Sequence, residues 1–179
     1  MPSSGLLVSN HLSYLDIIVL SSIQPCVFVA KGDVARWPLF GWLARAAGTI
    51  FVDRERRFSS PKAVNAISDA IADGLVVVIF PEGTSSDGLT VLPFKSALLE
   101  SAVQLRAPIA AASIDYALDA GSVADEICYW RDMILVPHLL NLLFKREIHA
   151  NYSFSLAKIR VGNRKRIARE LHNEIVSMR

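Results

Sequence analysis

Short apolar runs of strand length alternate along the chain with segments whose apolar residues recur at helical spacing. Strands are predicted over residues 6–9, 26–30, 49–53, 75–80, 108–114 and 148–156. Helices are predicted over residues 13–23, 37–47, 60–74 and 95–106, and a last helix begins after Asn163. This alternation is typical of α/β proteins whose strands pair in parallel. We therefore predict an α/β fold: a single domain with a mixed, mostly parallel sheet and helices on both faces.

The composition fits one compact unit. The 179 residues are 52% hydrophobic with a mean hydropathy of +0.35, which excludes intrinsic disorder and predicts one core over residues 1–179. No apolar stretch reaches the roughly 18 residues that span a bilayer, because Pro137, His138 and Asn141 interrupt the candidate over residues 133–144. The amino terminus also lacks the pattern of a signal peptide. We expect this chain to be neither secreted nor membrane-spanning.

The carboxyl-terminal part of the chain is basic. Residues 145–179 carry nine basic and three acidic residues, whereas residues 1–144 carry ten basic and fourteen acidic residues. A basic segment suits an anionic membrane surface or nucleic acid, and it is also typical of a solvated helix face. The charge alone does not choose between these interpretations.

The chain lacks the motifs of several common chemistries. It has no GxSxG, Walker, GxGxxG or HExxH motif. Cys26 and Cys128 are far apart and belong to no Cys/His cluster, so we predict no disulfide framework and no metal site. Three polar clusters remain, each at the exit of a predicted strand: Asn10, His11 and Asp16; Asp53 and Arg54; and Glu82, Gly83 and Thr84. Because ligands gather outside the carboxyl ends of strands in α/β sheets, we expect the clusters to converge on one crevice.

His11 and Asp16 are five residues apart, a spacing that no single helix or strand brings together. Across a turn before a helix, the Asp16 carboxylate can reach one imidazole nitrogen and leave the other nitrogen free as a general base. The segment from Ser13 to Asp16 also fits a capping box, in which Asp16 serves only the helix N-terminus. The spacing leaves both the catalytic and the structural interpretation open.

The other two clusters suit an anionic ligand or an acceptor. Arg54 follows a predicted strand, and its guanidinium can donate two charge-assisted hydrogen bonds to a phosphate. The charged residues that follow Arg54 are also typical of a solvated surface. Glu82 can orient an acceptor hydroxyl, and the backbone amides around Gly83 can approach an anion closely. The alternative for this third cluster is a simple turn after a buried strand.

In their order and spacing, these clusters resemble the motifs of the glycerolipid acyltransferases, the family that includes 1-acylglycerol-3-phosphate acyltransferase. NHLSYLD over residues 10–16 matches the motif NHxxxxD, and GTIFVDR over residues 48–54 is similar to the second motif. FPEGTSS over residues 80–86 matches the third motif, FPEGTRS, and residues 108–114 loosely match the fourth, an apolar strand with a proline. The resemblance covers residues 5–116.

The resemblance implies acyl transfer from a thioester of coenzyme A or acyl carrier protein to the free hydroxyl of a lysolipid. In this interpretation His11 removes the hydroxyl proton and Asp16 holds His11. The remaining motif residues bind the acceptor, with Arg54 at its head group and Glu82, Gly83 and Thr84 beside it. Neither a covalent acyl-enzyme nor a cofactor other than the thioester co-substrate is implied.

One departure from the family pattern bears on the acceptor. Ser85 stands where the third motif has arginine, and the continuation through Gly88 looks like that of bacterial relatives, some of which acylate lyso-ornithine lipid. The expected acceptor is 1-acylglycerol-3-phosphate, which gives phosphatidate, and lyso-ornithine lipid or another lysolipid is the alternative. A non-catalytic lipid-binding module is the alternative of another class.

A second departure bears on the membrane. His11 lies close to the start of the chain, whereas family members carry N-terminal helices that contact the membrane, so we expect this chain to lack that region. The hydropathy, the basic residues 145–179 and the aromatic residues Trp37, Phe40 and Trp42 favour contact with a membrane. We expect a peripheral position at the cytoplasmic face. Core packing is the alternative for the aromatic residues. Nucleic-acid binding is not expected, since the motifs that accompany it are absent.

Overall fold

The computed structural model describes residues 3–36, 40–52 and 61–179. The strands are β1 (Gly5–Ser9), β2 (Cys26–Lys31), β3 (Ile50–Val52), β4 (Val76–Ile79), β5 (Pro108–Ala117), β6 (His149–Phe154) and β7 (Lys158–Ile159). The helices are α1 (Leu15–Ile23), α2 (Phe40–Ala46), α3 (Pro61–Ala72), α4 (Glu100–Leu105), α5 (Val123–Glu126), α6 (Leu135–Leu143) and α7 (Arg164–Ser177). Short 3₁₀ helices cover Gly32–Arg36 and Ser96–Leu99.

The seven strands form one sheet in the order β3-β2-β4-β1-β5-β6, and β7 lies beside the first residues of β5. Strands β1 to β5 pair in parallel, whereas β6 and β7 run antiparallel to β5. The five parallel strands therefore end at the same side of the sheet, which we call the carboxyl edge. The predicted mixed, mostly parallel α/β sheet is confirmed.

The central strands are buried on both faces, which is why β4 is apolar at every position. Alternate residues of β1 show the two sides. Leu6 and Val8 belong to the cluster that α3, α4 and α7 cover, and Leu7 belongs to the cluster that α1 covers. A third cluster lies at the carboxyl edge, where Leu12 packs with residues of α5 and α6. Helices thus lie on both faces, as the sequence predicts.

Most predicted elements are present, with ends shifted by a few residues. The predicted helix over residues 95–106 begins as a 3₁₀ turn before α4, and β5 continues past residue 114 to Ala117. Residues 37–39, at the start of one predicted helix, lie outside the described residues. Residues 53–60, which include Arg54, also lie outside them.

The sequence pattern does not predict α5, α6 or β7. In α6 the polar residues interrupt the apolar run without ending the helix, because Pro137 lies in the first turn, where its missing N–H has no intrahelical partner to lose. His138 is buried, and the Asn141 side chain donates to the Glu126 carbonyl oxygen at 3.2 Å. Within the parts of the chain described here, every helix is too short or too polar to span a bilayer.

The basic carboxyl-terminal segment is largely engaged in ion pairs. In α7, Arg166 pairs with Glu170, and just before this helix Arg160 pairs with Glu174. The basic residues of this segment that pair with a carboxylate are Lys145, Arg160, Arg164, Arg166 and Arg179. Five of the nine basic residues are therefore neutralised locally, which favours the interpretation of a solvated helix face.

The side chain of Asn10 extends the pairing of β1 with β5 beyond the last residue of β1. Its Nδ2 donates to the Ile114 carbonyl oxygen at 2.9 Å, and its Oδ1 accepts from the Ile114 N–H at 2.8 Å. Asn10 is 1% exposed, so water cannot replace either bond. The residue that precedes His11 is thereby fixed to β5.

We expect Asn10→Ala to lower the free energy of unfolding by about 2 to 4 kcal/mol, because it leaves both buried polar groups of Ile114 unpaired. Asn10→Asp should also destabilise, since a carboxylate cannot donate to the carbonyl. Urea unfolding measures both variants. Asn151→Ala, at an exposed position of β6, is the control and should change stability by less than about 0.5 kcal/mol. An equally small change in Asn10→Ala would contradict this role.

Candidate active site

Two of the predicted clusters meet at the carboxyl edge because β1 and β4 are neighbours in the sheet. His11 follows β1, and its backbone N–H donates to Glu82 Oε1 at 2.8 Å just after β4. The Ser86 N–H donates to the His11 carbonyl oxygen at 3.0 Å. Asp53 and Arg54, the remaining cluster, lie outside the described residues.

His11 and Asp16 meet across the turn that joins β1 to α1. His11 Nδ1 lies 2.8 Å from Asp16 Oδ2, and because a carboxylate only accepts, this contact selects the tautomer with the proton on Nδ1. The Asp16 side chain is completely buried, whereas the His11 side chain is 20% exposed. No described group hydrogen-bonds His11 Nε2, so its lone pair is available to a ligand.

Four described donors share the Asp16 carboxylate. Oδ2 accepts from His11 Nδ1, from the Leu12 N–H at 2.7 Å and from the Ser13 N–H at 3.2 Å. Oδ1 accepts from the Tyr116 hydroxyl at 2.7 Å. One oxygen of Asp16 thus binds both the backbone of the turn before α1 and the His11 ring. Only half of the predicted capping box forms, because Ser13 Oγ has no hydrogen-bond partner among the described residues and the N-cap residue is Tyr14.

The His11 ring lies flat against Phe80, the residue that follows β4. The ring centroids are 4.1 Å apart and the planes differ by 17°. Phe80 stacks in turn on Phe28 of β2, with 6.3 Å between the centroids. The stack restricts rotation of the imidazole and places an apolar surface on one side of it.

Glu82 fastens three segments of the site together. Its Oε1 accepts from the His11 N–H and its Oε2 accepts from the Leu92 N–H at 3.0 Å. Glu82 is 2% exposed, and this burial raises the pKa of its carboxyl, an effect that the two backbone donors and the nearby His11 oppose. Both oxygens of Glu82 are therefore engaged by the protein.

The loop after Glu82 carries a cation at its surface. Gly83 has a φ of +71°, and a Cβ built on it would lie 2.6 Å from Lys95 Nζ, so the Lys95 ammonium rests against the glycine. The Lys95 N–H donates to the Pro81 carbonyl oxygen at 2.8 Å. Thr84 is exposed on this loop. The Ser85 hydroxyl instead donates to the Tyr129 carbonyl oxygen.

The structure adds three residues to this region that the sequence analysis does not identify: Phe80, Lys95 and Tyr116. The available signal for Phe80 is its place in the FPEG motif at the end of β4. Lys95 and Tyr116 carry no comparable motif signal. They reach the site from the end of a long loop and from β5, which the topology alone brings beside β1.

A second histidine, the buried His138 of α6, binds a residue next to the turn that follows β1. His138 of α6 accepts a hydrogen bond from the Tyr14 hydroxyl through Nδ1 at 2.9 Å, and its Nε2–H donates to the Cys128 carbonyl oxygen at 3.1 Å. Burial lowers the pKa of His138 and raises the pKa of Tyr14 to about 12. The Tyr129 N–H donates to the Leu12 carbonyl oxygen at 2.8 Å. The neutral imidazole thus links α6 to the turn that carries Asp16.

Fold and site together define an α/β protein with an imidazole, oriented by a buried carboxylate, at the carboxyl edge of a mostly parallel sheet. The family model described as Acyltransferase matches residues 2–115, which include all three polar clusters. This match covers more than half of the chain. The chain belongs to the acyltransferase family.

Two relatives are similar over most of the chain. The lyso-ornithine lipid O-acyltransferase of Rhizobium meliloti (strain 1021) is 37% identical over 187 residues, which cover 97% of this chain and 64% of that protein. The 1-acyl-sn-glycerol-3-phosphate acyltransferase of Neisseria gonorrhoeae is 35% identical over 139 residues, which cover 73% of this chain and 54% of that protein. The chain therefore spans less than two thirds of the length of either relative.

A solved structure shares the fold. The crystal structure of the 1-acyl-sn-glycerophosphate acyltransferase PlsC from Thermotoga maritima superposes with a TM-score of 0.63 and 18% sequence identity. The alignment covers 99% of this chain and 66% of that chain. The architecture described above is therefore that of a known acyltransferase structure.

The lowered pKa of His138 predicts a pH-dependent stability. The unfolded chain binds a proton near the ordinary histidine value of 6.5 and the folded chain binds it at lower pH, so stability is complete above about pH 6.5 and falls as the pH drops below it. We expect His138→Gln to lose less stability than the wild type between about pH 7.5 and 5.5. Urea unfolding at both pH values measures this. An identical pH dependence in the two proteins would exclude His138 as the group responsible.

Proposed function

We propose that this chain transfers an acyl group from an acyl thioester to the free hydroxyl of a lysolipid. The observation that carries this proposal is the 2.8 Å contact between His11 Nδ1 and Asp16, which leaves Nε2 of a partly exposed imidazole as the available base. Membership of the acyltransferase family supports it. The names of both relatives, each a lysolipid acyltransferase, support it further.

In the first step, His11 Nε2 accepts the proton of the acceptor hydroxyl while the hydroxyl oxygen attacks the carbonyl carbon of the thioester. A carbon–oxygen bond forms, and the carbonyl electron pair moves to its oxygen. The imidazole becomes an imidazolium that the buried Asp16 carboxylate stabilises. General-base catalysis of this kind contributes about 10² to 10⁴ in rate.

In the second step, the tetrahedral intermediate expels the thiolate as the carbonyl re-forms. The thiolate takes the proton from His11 Nε2, so the ester and the free thiol leave and the imidazole is neutral again. No side chain forms a bond with the acyl group, which agrees with a sequence that lacks a nucleophile-elbow motif. Either coenzyme A or acyl carrier protein supplies the thioester that this chemistry needs.

Lyso-ornithine lipid is the acceptor we propose. The similarity to the Rhizobium enzyme extends over 97% of this chain, against 73% for the Neisseria enzyme. A phosphate monoester brings up to two negative charges, whereas the ornithine head group brings one carboxylate beside an amine. Ser85 stands where the third motif has arginine, so this position lacks a positive charge. The Ser85 hydroxyl instead donates to the Tyr129 carbonyl oxygen. The comparisons therefore favour the alternative of the sequence analysis over 1-acylglycerol-3-phosphate.

Some of the proposed acceptor-binding residues contact the acceptor directly, and Glu82 acts by holding the loop in place. Arg54 retains the role that the family resemblance implies, a contact with the acceptor head group. Gly83 and Thr84 lie on the loop beside the Lys95 ammonium, where an acceptor carboxylate has a cation to bind. Glu82 contributes indirectly, because its two oxygens are occupied by backbone N–H groups and hold the loop against His11.

A lipid acceptor and a lipid product require access to a membrane, and we propose a peripheral position at its cytoplasmic face. Exposed apolar side chains support the membrane contact. Trp42 of α2 is 66% exposed, and Leu143 and Phe144 at the end of α6 are 71% and 87% exposed. Trp37 lies outside the described residues, as does the side chain of Phe40. We assign the contact to these apolar residues, since most cations of the carboxyl-terminal segment are paired.

An acylation assay with a panel of acceptors tests the proposed function. We expect the chain to consume acyl thioester faster with lyso-ornithine lipid than with 1-acylglycerol-3-phosphate, and His11→Ala to lower turnover by about 10² to 10⁴. Release of free thiol and mass spectrometry of the lipid product measure both effects.

The control for this assay is His149→Ala, because His149 is an exposed histidine at the start of β6. It should retain wild-type turnover. Full activity of a folded His11→Ala variant would refute the catalytic role, and lipid binding without turnover in the wild type would favour the non-catalytic module. Faster acylation of 1-acylglycerol-3-phosphate would refute only the choice of acceptor.

Vesicle flotation tests the membrane contact. We expect the chain to float with anionic vesicles and the double variant L143S/F144S to float less, because burial of these side chains in the interface is lost. Leu156→Ser removes an equally exposed leucine, 89% exposed after β6, and should float like the wild type. Recovery of the wild type wholly in the soluble fraction would contradict the proposed contact.

A further inference from the structure

We propose that Tyr116 is a positioning residue for the base: its hydroxyl fixes the Asp16 carboxylate so that Oδ2 faces His11 Nδ1. The contact joins residues that are 100 positions apart in the chain, and its distance is 2.7 Å. The catalytic consequence of this role rests on the proposed function. The contact between Tyr116 and Asp16 is a feature of the structure and does not depend on that function.

Tyr116 reaches Asp16 because β5 is longer than its apolar run. Strand β5 continues to Ala117, and Tyr116, one residue before the end of β5, pairs with Ala150 of β6. Since β1 and β5 are parallel neighbours, the last residues of β5 lie beside the turn that follows β1. Tyr116 is 5% exposed, so its ring is held by packing and its hydroxyl has one fixed direction.

The hydroxyl of Tyr116 is protonated at neutral pH and can donate to Asp16. Burial, and then the charge of Asp16, raise the pKa of Tyr116 well above its usual range. The proton therefore stays on the phenol, and Asp16 receives a hydrogen bond from a neutral group. This bond leaves the negative charge of the carboxylate in place to interact with His11.

The two oxygens of Asp16 have different partners. Oδ2 accepts from His11 and from two backbone N–H groups, whereas Oδ1 has the Tyr116 hydroxyl as its partner among the described residues. Without that hydroxyl a completely buried oxygen loses its donor, and the donors on Oδ2 alone then restrict rotation of the carboxylate about its Cβ–Cγ bond. The charge of Asp16 is then also less dispersed, so it holds a protonated imidazole more strongly.

Tyr152 is a matched control for Tyr116. It lies on β6 opposite Ile114 and shares a cluster with Tyr116, so the two rings are on the same face of the sheet. Its hydroxyl is buried but has no hydrogen-bond partner within the described parts of the chain. Tyr152→Phe therefore removes the same atom from the same environment without breaking a bond to Asp16.

The test combines steady-state kinetics with a histidine titration in Tyr116→Phe and Tyr152→Phe. We expect Tyr116→Phe to lower kcat about tenfold with KM within about twofold, because the base is less well oriented while the acceptor site is intact. NMR of ¹⁵N-labelled histidine, with the His11 signal assigned by its absence in His11→Ala, follows the ring directly. In the described parts of the chain, the ionisable groups that face His11 are Asp16 and Glu82.

In the Tyr116→Phe chain the midpoint of the His11 titration should move to higher pH, since the less dispersed Asp16 charge favours the protonated ring. Tyr152→Phe should leave kcat and the midpoint unchanged. In an Asp16→Asn background, Tyr116→Phe should no longer move the midpoint.

A midpoint that does not move in Tyr116→Phe overturns the proposal, even if kcat falls, because packing alone then explains the loss. A shifted midpoint with unchanged kcat also overturns the positioning role. If the wild-type chain acylates no acceptor, the proposed function fails, and the titration still decides whether Tyr116 acts on His11 through Asp16.

Discussion

The completely buried carboxylate of Asp16 is the interaction on which the site depends. A buried charge is costly unless hydrogen bonds compensate it, and here the donors come from the turn after β1, from His11 and from Tyr116 of β5. The same bonds hold the turn before α1, orient the imidazole and join the start of α1 to β5. Local structure, sheet packing and the candidate chemistry therefore cannot be separated at this position.

The strand order gives this arrangement its rigidity. Because β1 lies between β4 and β5, the turn that carries His11 is bounded by the Glu82 loop on one side and by the end of β5 on the other. Glu82 binds the backbone of His11, Asn10 binds Ile114, and Phe80 stacks on the imidazole. A base supported by regular elements keeps its direction better than one on a free loop.

The same construction separates the proposed chemistry from the choice of acceptor. The imidazole and its carboxylate belong to the turn after β1, whereas the cations and hydroxyls that would meet a head group lie on the loop after β4 and its neighbours. Ser85 is turned toward Tyr129, and Lys95 rests on Gly83. Changes at Ser85 or Lys95, which make no described bond to His11 or Asp16, can alter the charge presented to a lipid without removing a contact of the base. This is consistent with a family whose members are named for different lysolipids.

The sequence by itself determined the contacts between residues that are close in the chain. The apolar runs predict the individual strands, and the five-residue separation of His11 and Asp16 predicts their meeting across a turn, because both depend on residues that are close in the chain. Helix α6 is not predicted, since the polar residues that interrupt its pattern find partners outside the helix, such as Tyr14 for His138. The bonds of Glu82 to the His11 N–H and of Tyr116 to Asp16 were decided only by the tertiary structure. Strand order and the length of β5 bring those groups together, and neither property leaves a periodic signal in the sequence.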